Sequence, residues 1–172
     1  MKDEKQELVP LIETDGPAVM ALFNHYITTG TAAFPEEPLP EAFYSRLRTM
    51  IGGYPALAVR GSDGMVGFGF LHAHHPLPTF ARTAEISYFI APEHTGCGIG
   101  ARLLARLEEL GRAQGIDTIL AAISSANAGS IRFHVRHGFA ECGRFRRVWR
   151  KRGRDLDVVW MQKFLGAGVV GA

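Results

Sequence analysis

Hydrophobic positions in this chain change their spacing along its length, from short runs that suit strands to stripes that suit helices. Residues 8–12 read as a first strand, and Thr14 or Asp15 is placed to cap a helix that Pro17 can begin and that ends near Gly30. A second helix is expected from about Pro40 to Met50, stopped by Gly52 and Gly53. Apolar runs at 54–59 and 65–70 flank Gly61-Ser62-Asp63-Gly64, a hairpin signal, and a fourth strand at 83–90 leads into a glycine loop. After the loop, Ile99, Leu103, Leu107 and Leu110, with Leu104 and Gly111 beside them, make one apolar stripe opposite Arg102, Arg106, Glu109 and Arg112. Gly115 ends that helix, and residues 118–123 read as a buried strand. Asn127 or Ser130 then starts another helix, His137-Gly138 ends it, and two final strands flank a turn at Gly153. This order predicts an α/β chain, an α+β mixed sheet with helices on both faces.

Composition bounds the picture without sharpening it. A chain of 172 residues with 47% hydrophobic content suits one domain with a sizeable core, expected over residues 8–165 between flexible tails at 1–7 and 166–172. The 19 basic and 17 acidic residues leave +2, too slight to argue for nucleic acid or an anionic membrane as an obligate partner. No window approaches about 18 uninterrupted apolar residues, and 1–7 lacks the apolar core of a secretory signal, so neither membrane nor secretion is expected. Two cysteines give no disulfide framework, which points to the cytoplasm.

The densest chemical signal is the passage from strand to loop to helix at residues 84–104. Gly96, Gly98 and Gly100 let backbone N–H groups turn inward, and the helix that opens there adds the positive end of its dipole: a cradle for a diphosphate. The loop lacks the Gly-Lys-Ser/Thr ending of a nucleoside triphosphate site. Gly96, Gly98 and Ala101 satisfy the dinucleotide spacing, but the next strand ends in Ser124 and Ser125 where that reading wants an acid.

The order Glu85, glycine loop, helix, strand, Asn127, Ser130, His134, Gly138-Phe139 resembles the GCN5-related N-acetyltransferases (GNAT), which bind acetyl-CoA. Arg132-Phe133-His134, the ending at 150–157, and the N-terminal stretches 23–27 and 31–38 are similar to the phosphinothricin and methionine sulfone acetyltransferase branch. The resemblance covers roughly residues 8–165 and implies the acyl-CoA N-acyltransferase fold, a central, mostly antiparallel sheet flanked by helices. It implies direct acetyl transfer to a small amino-acid-like amine within a ternary complex, no metal cofactor, and a homodimer. The family's loop usually opens with Arg or Gln where this chain has Thr95, so main chain makes most of the cradle here.

Direct transfer asks for a docked thioester, a polarised carbonyl, a neutral amine and a route for the proton. Glu85 is the candidate base, since partial desolvation makes a carboxylate more useful near neutral pH; it can equally alternate outward or pair with Arg82. His134 is the candidate acid or proton relay, against a helix histidine bonded to a backbone carbonyl. Tyr88, Phe89 and Ile90 close the strand, where backbone groups can pair with the pantetheine arm and the N–H of Phe89 or Ile90 can polarise the thioester carbonyl. Gly96, Cys97, Gly98, Ile99, Gly100 and Ala101 form the cradle, with Asn127 as helix cap and coenzyme donor. On the resemblance, Phe34, Phe80 and Arg82 lie on the acceptor side. Cys97 beside a diphosphate would point away from the thioester carbon, which argues against an acyl-enzyme. His72, His74 and His75 lack a Cys or carboxylate to complete a metal set. The basic run 144–154 lacks an interleaved aromatic platform beyond Trp149 and reads as a solvated hairpin or as a contact for a coenzyme or substrate anion.

Overall fold

The computed structural model describes residues 6–166. Its elements follow in the order β1 (Glu7–Pro10), α1 (Gly16–Thr29), α2 (Phe43–Ile51), β2 (Ala56–Gly61), β3 (Gly64–Ala73), β4 (Thr83–Ile90), α3 (Ile99–Ala113), β5 (Thr118–Ser124), α4 (Ala128–Arg136), β6 (Ala140–Lys151) and β7 (Arg154–Phe164). The seven strands form one sheet in the order β1-β2-β3-β4-β5-β7-β6, antiparallel throughout except for β4 against β5.

Alternation along the strands divides the core in two. Ala58, Phe68 and Phe70 meet Val19, Met20, Tyr44, Leu47 and Ile51 of α1 and α2 on one face. Leu57, Val59, Leu71, Ile86 and Ile119 meet Ile99, Leu103, Leu104 and Leu107 of α3 on the other. These four α3 side chains are at most 1% exposed, and burying each contributes about 1.5–3 kcal/mol. Gly69, directly across from Tyr88, makes the α3 face possible: a Cβ there would sit 2.7 Å from Tyr88 Cβ and 3.1 Å from Leu103.

The feature that creates a site is a splay. The parallel pairing of β4 with β5 runs only from Thr83–Glu85 to Thr118–Leu120. Beyond it β4 stays paired with β3 as far as Ile90, and β5 stays paired with β7 as far as Ser124. Each strand is held by its outer neighbour while the two part from one another, leaving backbone groups unpaired on their facing edges.

Several sequence expectations are corrected. The first strand starts within the expected tail, at Glu7, and ends at Pro10; the tail residues 1–5 and 167–172 lie outside the described residues. Asp15, not Thr14, stands at the N-cap position of α1, but its side chain makes no cap bond to that helix. Asp15 instead accepts the Ile12 N–H at 2.9 Å and pairs with Arg60, closing a 3-10 turn before the helix. The second helix begins at Phe43 because residues 40–42 form a turn rather than a first helical turn. Of the hairpin strands, the first is shifted to Ala56–Gly61 and the second is longer than expected, running Gly64–Ala73, with Ser62 and Asp63 at the turn.

Candidate active site

A cleft of about 800 Å³ follows the splay, walled by Ile86–Ile90 of β4 and Ala121–Ser124 of β5. The loop residues Thr95, Gly96, Gly98, Gly100 and Ala101 close one end, and Phe34, Phe70 and Met50 lie towards the other. Gly96 (φ +75°) and Gly98 (φ +80°) hold left-handed backbone that favours glycine, and open space lies where their Cβ atoms would be. Gly98 is the N-cap of α3, and among the described residues no side chain caps that helix, so its first-turn N–H groups lack a side-chain partner there. These features fit a coenzyme diphosphate held by main chain. Thr95 turns its hydroxyl to the Pro92 carbonyl (2.8 Å), adding stiffness to the turn rather than a contact to an anion. Ile99 presents only backbone, its side chain being 1% exposed in the core, and the exposed Cys97 lies outside the cleft wall with Sγ near the Thr95 carbonyl.

Asn127 fulfils its capping role by accepting the Ser130 N–H at 3.1 Å, and it also lines the cleft. Phe89 is packed by Phe23, Tyr26 and Phe68, and the Tyr26 hydroxyl donates to the Ile90 carbonyl, fixing the end of β4 at the cleft. Tyr26 and Phe133, which enter the sequence reading only as part of the resemblance, and Arg136, which was not singled out, also line the cleft; aromatics spaced three or four apart on helices are indistinguishable from ordinary core packing.

Glu85 stands at the root of the splay, opposite His72 on β3, with its side chain 22% exposed. Arg82 is not its partner, being paired with Asp117. His74 Nδ1–H donates to Oε1 at 2.8 Å, and Oε2 lies 3.9 Å from His72 Nε2. His72 donates its own Nδ1–H to the Ala73 carbonyl at 3.0 Å, so its Nε2 is the acceptor nitrogen in the neutral ring. One Glu85 oxygen is thus oriented, and among the described residues the other has no direct hydrogen bond. His74 meets Phe80 (6.1 Å) and the edge of Trp160 (6.2 Å), whose Nε1 is buried without a partner among the described residues. The three histidines that invited a metal reading therefore divide: two flank a carboxylate, and His75 stacks near Phe80.

Of the expected acceptor residues, Phe34 lies in the cleft, edge-on to Trp149 at 5.0 Å. Phe80 reaches the site only through His74. Arg82 does not line the cleft; its guanidinium is 79% exposed and pairs with Asp117, a carboxylate that precedes β5 beside it. A different cation governs this end. Lys151, 1% exposed, donates to the Ala33 carbonyl at 2.8 Å, while Arg152 bonds the Thr28 carbonyl and, through its N–H, Glu36 at 3.0 Å. The β6–β7 hairpin tip thereby clamps the loop that carries Phe34, and burial lowers the Lys151 pKa from its ordinary value. The basic run around it is largely matched within its own hairpin: Arg147 and Arg150 with Asp155, holding that carboxyl at about 2, and Arg144 with Glu141.

His134 is 3% exposed, and both ring nitrogens are engaged. Its Nδ1 lies 2.8 Å from the Ser130 carbonyl, which can only accept, so Nδ1 carries the proton. Nε2 is then the acceptor, and the Tyr88 hydroxyl donates to it at 2.7 Å. Burial pulls the imidazole below its ordinary 6.5, helped by His137, and pushes the Tyr88 phenol up, helped by Glu108. His134 and Tyr88 both line the cleft, with the Nε2 lone pair taken up by the Tyr88 hydroxyl.

Comparison with known proteins agrees with this geometry. The profile of the Acetyltransferase (GNAT) family matches residues 19–139. An L-methionine sulfoximine/L-methionine sulfone acetyltransferase of Pseudomonas paraeruginosa is 36% identical over 154 residues, covering 86% of this chain and 88% of its own. A phosphinothricin acetyltransferase of Sinorhizobium meliloti, solved in complex with AcCoA, superposes with a TM-score of 0.88 at 29% identity, covering 97% of this chain and 92% of its own. A ribosomal-protein-alanine N-acetyltransferase of Brucella melitensis superposes with a TM-score of 0.84 at 31% identity, covering 92% and 99%.

Proposed function

This chain belongs to the Acetyltransferase (GNAT) family, and from that premise we propose that it moves an acetyl group from acetyl-CoA to the amino group of a small amino-acid-like acceptor. Methionine sulfone, methionine sulfoximine and phosphinothricin are the model acceptors, as the names of its relatives suggest. The observation that carries the reading is the cleft at the β4–β5 splay, with a glycine-rich helix start that no side chain caps at one end; Glu85, held by His74, stands at the root of the splay, next to the lining residue Ile86 rather than in the cleft wall itself.

The α3 N-terminus would hold the diphosphate and the unpaired β4 edge the pantetheine arm, which brings the thioester to the chain's own proton-handling groups. Glu85 takes the ammonium proton through Oε2 while His74 keeps the carboxylate aimed. The backbone N–H of Phe89 or Ile90 polarises the carbonyl, and His134 serves the departing sulfur. Phe34 and the clamped 30–36 loop wall the acceptor end, which favours a small amine over the extended peptide suggested by the Brucella relative. The decisive assay compares CoA thiol release with methionine sulfone against release with an alanine-starting peptide. Faster turnover of the peptide would transfer the reading to protein N-termini, and binding of acetyl-CoA with no turnover of either would leave a coenzyme sensor.

A cytoplasmic homodimer completes the proposal. Cys97 and Cys142 are both free thiols, in keeping with a reducing compartment. The long edge strand β6 is almost wholly exposed and carries Phe145 and Val148, each more than half exposed, which a second copy can cover.

A further inference from the structure

Tyr88 and Glu85 stand on opposite faces of β4. Glu85 shares its face with Phe89 and the α1–α2 core, whereas Tyr88 packs with the α3 core. Strand alternation therefore puts the candidate base and the His134 ring on different sides of the strand that borders the cleft. A proton released on the α3–α4 side cannot use Glu85 and needs its own receiver. His134 has the required lone pair, but that lone pair already accepts from the Tyr88 hydroxyl, and Tyr88 lines the cleft beside it. The phenol ring lies nearly parallel to the imidazole, with centroids 5.6 Å apart and 23° between planes. Phe133 and Phe139 pack edge-on to His134, and its polar neighbours are Ser130 at Nδ1 and Tyr88 at Nε2.

We propose that Tyr88 is a further catalytic residue, the group through which His134 exchanges protons with the reacting atoms. The inference rests on the transferase reading and adds a role to it. Transfer involves two amine protons. The first leaves the ammonium for Glu85 and then solvent, giving a neutral amine. Attack of that amine on the thioester carbon forms the C–N bond and leaves one proton too many on nitrogen. That proton passes to Tyr88 Oη as the Tyr88 proton passes to His134 Nε2. When the C–S bond breaks, the movement reverses: the Nε2 proton returns to Tyr88, and Tyr88 delivers a proton to the departing thiolate. The products are the acetylated amine and the free thiol, with both residues restored. A concerted exchange of this kind forms no free phenolate, and the fixed Nδ1–H to the Ser130 carbonyl stabilises the transient imidazolium.

The test uses Tyr88→Phe, His134→Ala and the double variant, each checked for its thermal melt and acetyl-CoA affinity. Tyr88→Phe is expected to lower kcat by about tenfold or more while acetyl-CoA Kd stays within about twofold. The double variant is expected to be no slower than His134→Ala alone, since residues acting as one unit are not additive. A Tyr88→Phe protein that binds acetyl-CoA and keeps native kcat overturns the proposal, as does a double variant slowed by the product of the two single effects. If Tyr88→Phe fails to bind or fold, His134→Ala with and without added imidazole decides. Rescue of kcat by imidazole in the Tyr88-containing protein is expected, and no dependence of kcat on either His134 or imidazole overturns the proposal. Absence of turnover in the native protein would instead strike the transferase reading itself.

Discussion

Glu85 has one oxygen held by His74 and the other aimed into the gap beside His72, so an isosteric change can remove basicity without removing the hydrogen bond. Glu85→Gln should lower kcat by about 10²-fold or more and leave acetyl-CoA Kd within about twofold, as stopped-flow binding and steady-state rates will show. His134 makes a prediction about stability. Its pKa is lowered in the folded protein, so between the ordinary 6.5 and the folded value the unfolded chain binds a proton that the native chain does not. That contribution makes stability rise with pH through this window, and it is lost as pH falls from 6.5. Melting temperature should therefore drop on acidification from pH 7 to pH 5, and His134→Gln should flatten part of that drop; an unchanged slope would contradict the assignment. Both residues were legible in the sequence as types at positions. Their partners were not, because His74 reaches Glu85 only through the β3–β4 register, and Tyr88 reaches His134 across 46 positions of sequence.

At the scale of elements, the strand–loop–helix unit from β4 to α3 was readable because glycine spacing and an apolar stripe point to the same structure. The stripe concealed one residue. Glu108 is 6% exposed within it, paired one helical turn on with Arg112 at 3.6 Å and with Lys163 at 2.6 Å; the second pairing depends on β7 packing against α3 and leaves no local signature. The loop itself yields a sharp prediction. Gly98→Ala places a Cβ on left-handed backbone at a cost of about 1–2 kcal/mol, or about 2–8 °C in melting temperature. Acetyl-CoA Kd should rise by about tenfold or more, because the first-turn N–H groups lose their alignment. Titration by calorimetry checks it, and native affinity in the variant would mean that the cradle lies elsewhere. The β6–β7 tip was read as a solvated hairpin and is largely that, yet its turn at Arg152 and Gly153, both at positive φ, carries the buried Lys151. A lysine inside a basic run gives no sign of burial; only the fold brings it to the Ala33 carbonyl.

For the whole molecule, the clamp links the sheet's far edge to the acceptor end of the cleft. Lys151→Met keeps most of the buried volume while losing the hydrogen bond to Ala33, so it should raise KM for the amine several-fold while acetyl-CoA affinity stays native; equal loss of both affinities would show general unfolding instead. The same edge carries Phe145 and Val148, and Phe145→Asp should shift a dimer to monomer in sedimentation if β6 is the subunit contact. The overall architecture was legible because strand and helix periods follow one another without interruption. The splay was not, since it arises from which neighbour each strand keeps rather than from any residue within it. The most direct test of the account mixes the purified protein with acetyl-CoA and L-methionine sulfone, following free thiol and the mass of the amine together. The account predicts stoichiometric release of CoA thiol and an acetylated sulfone, lost in Glu85→Gln. Thiol release without an acetylated amine, or no release with any small amino-acid acceptor, would contradict it.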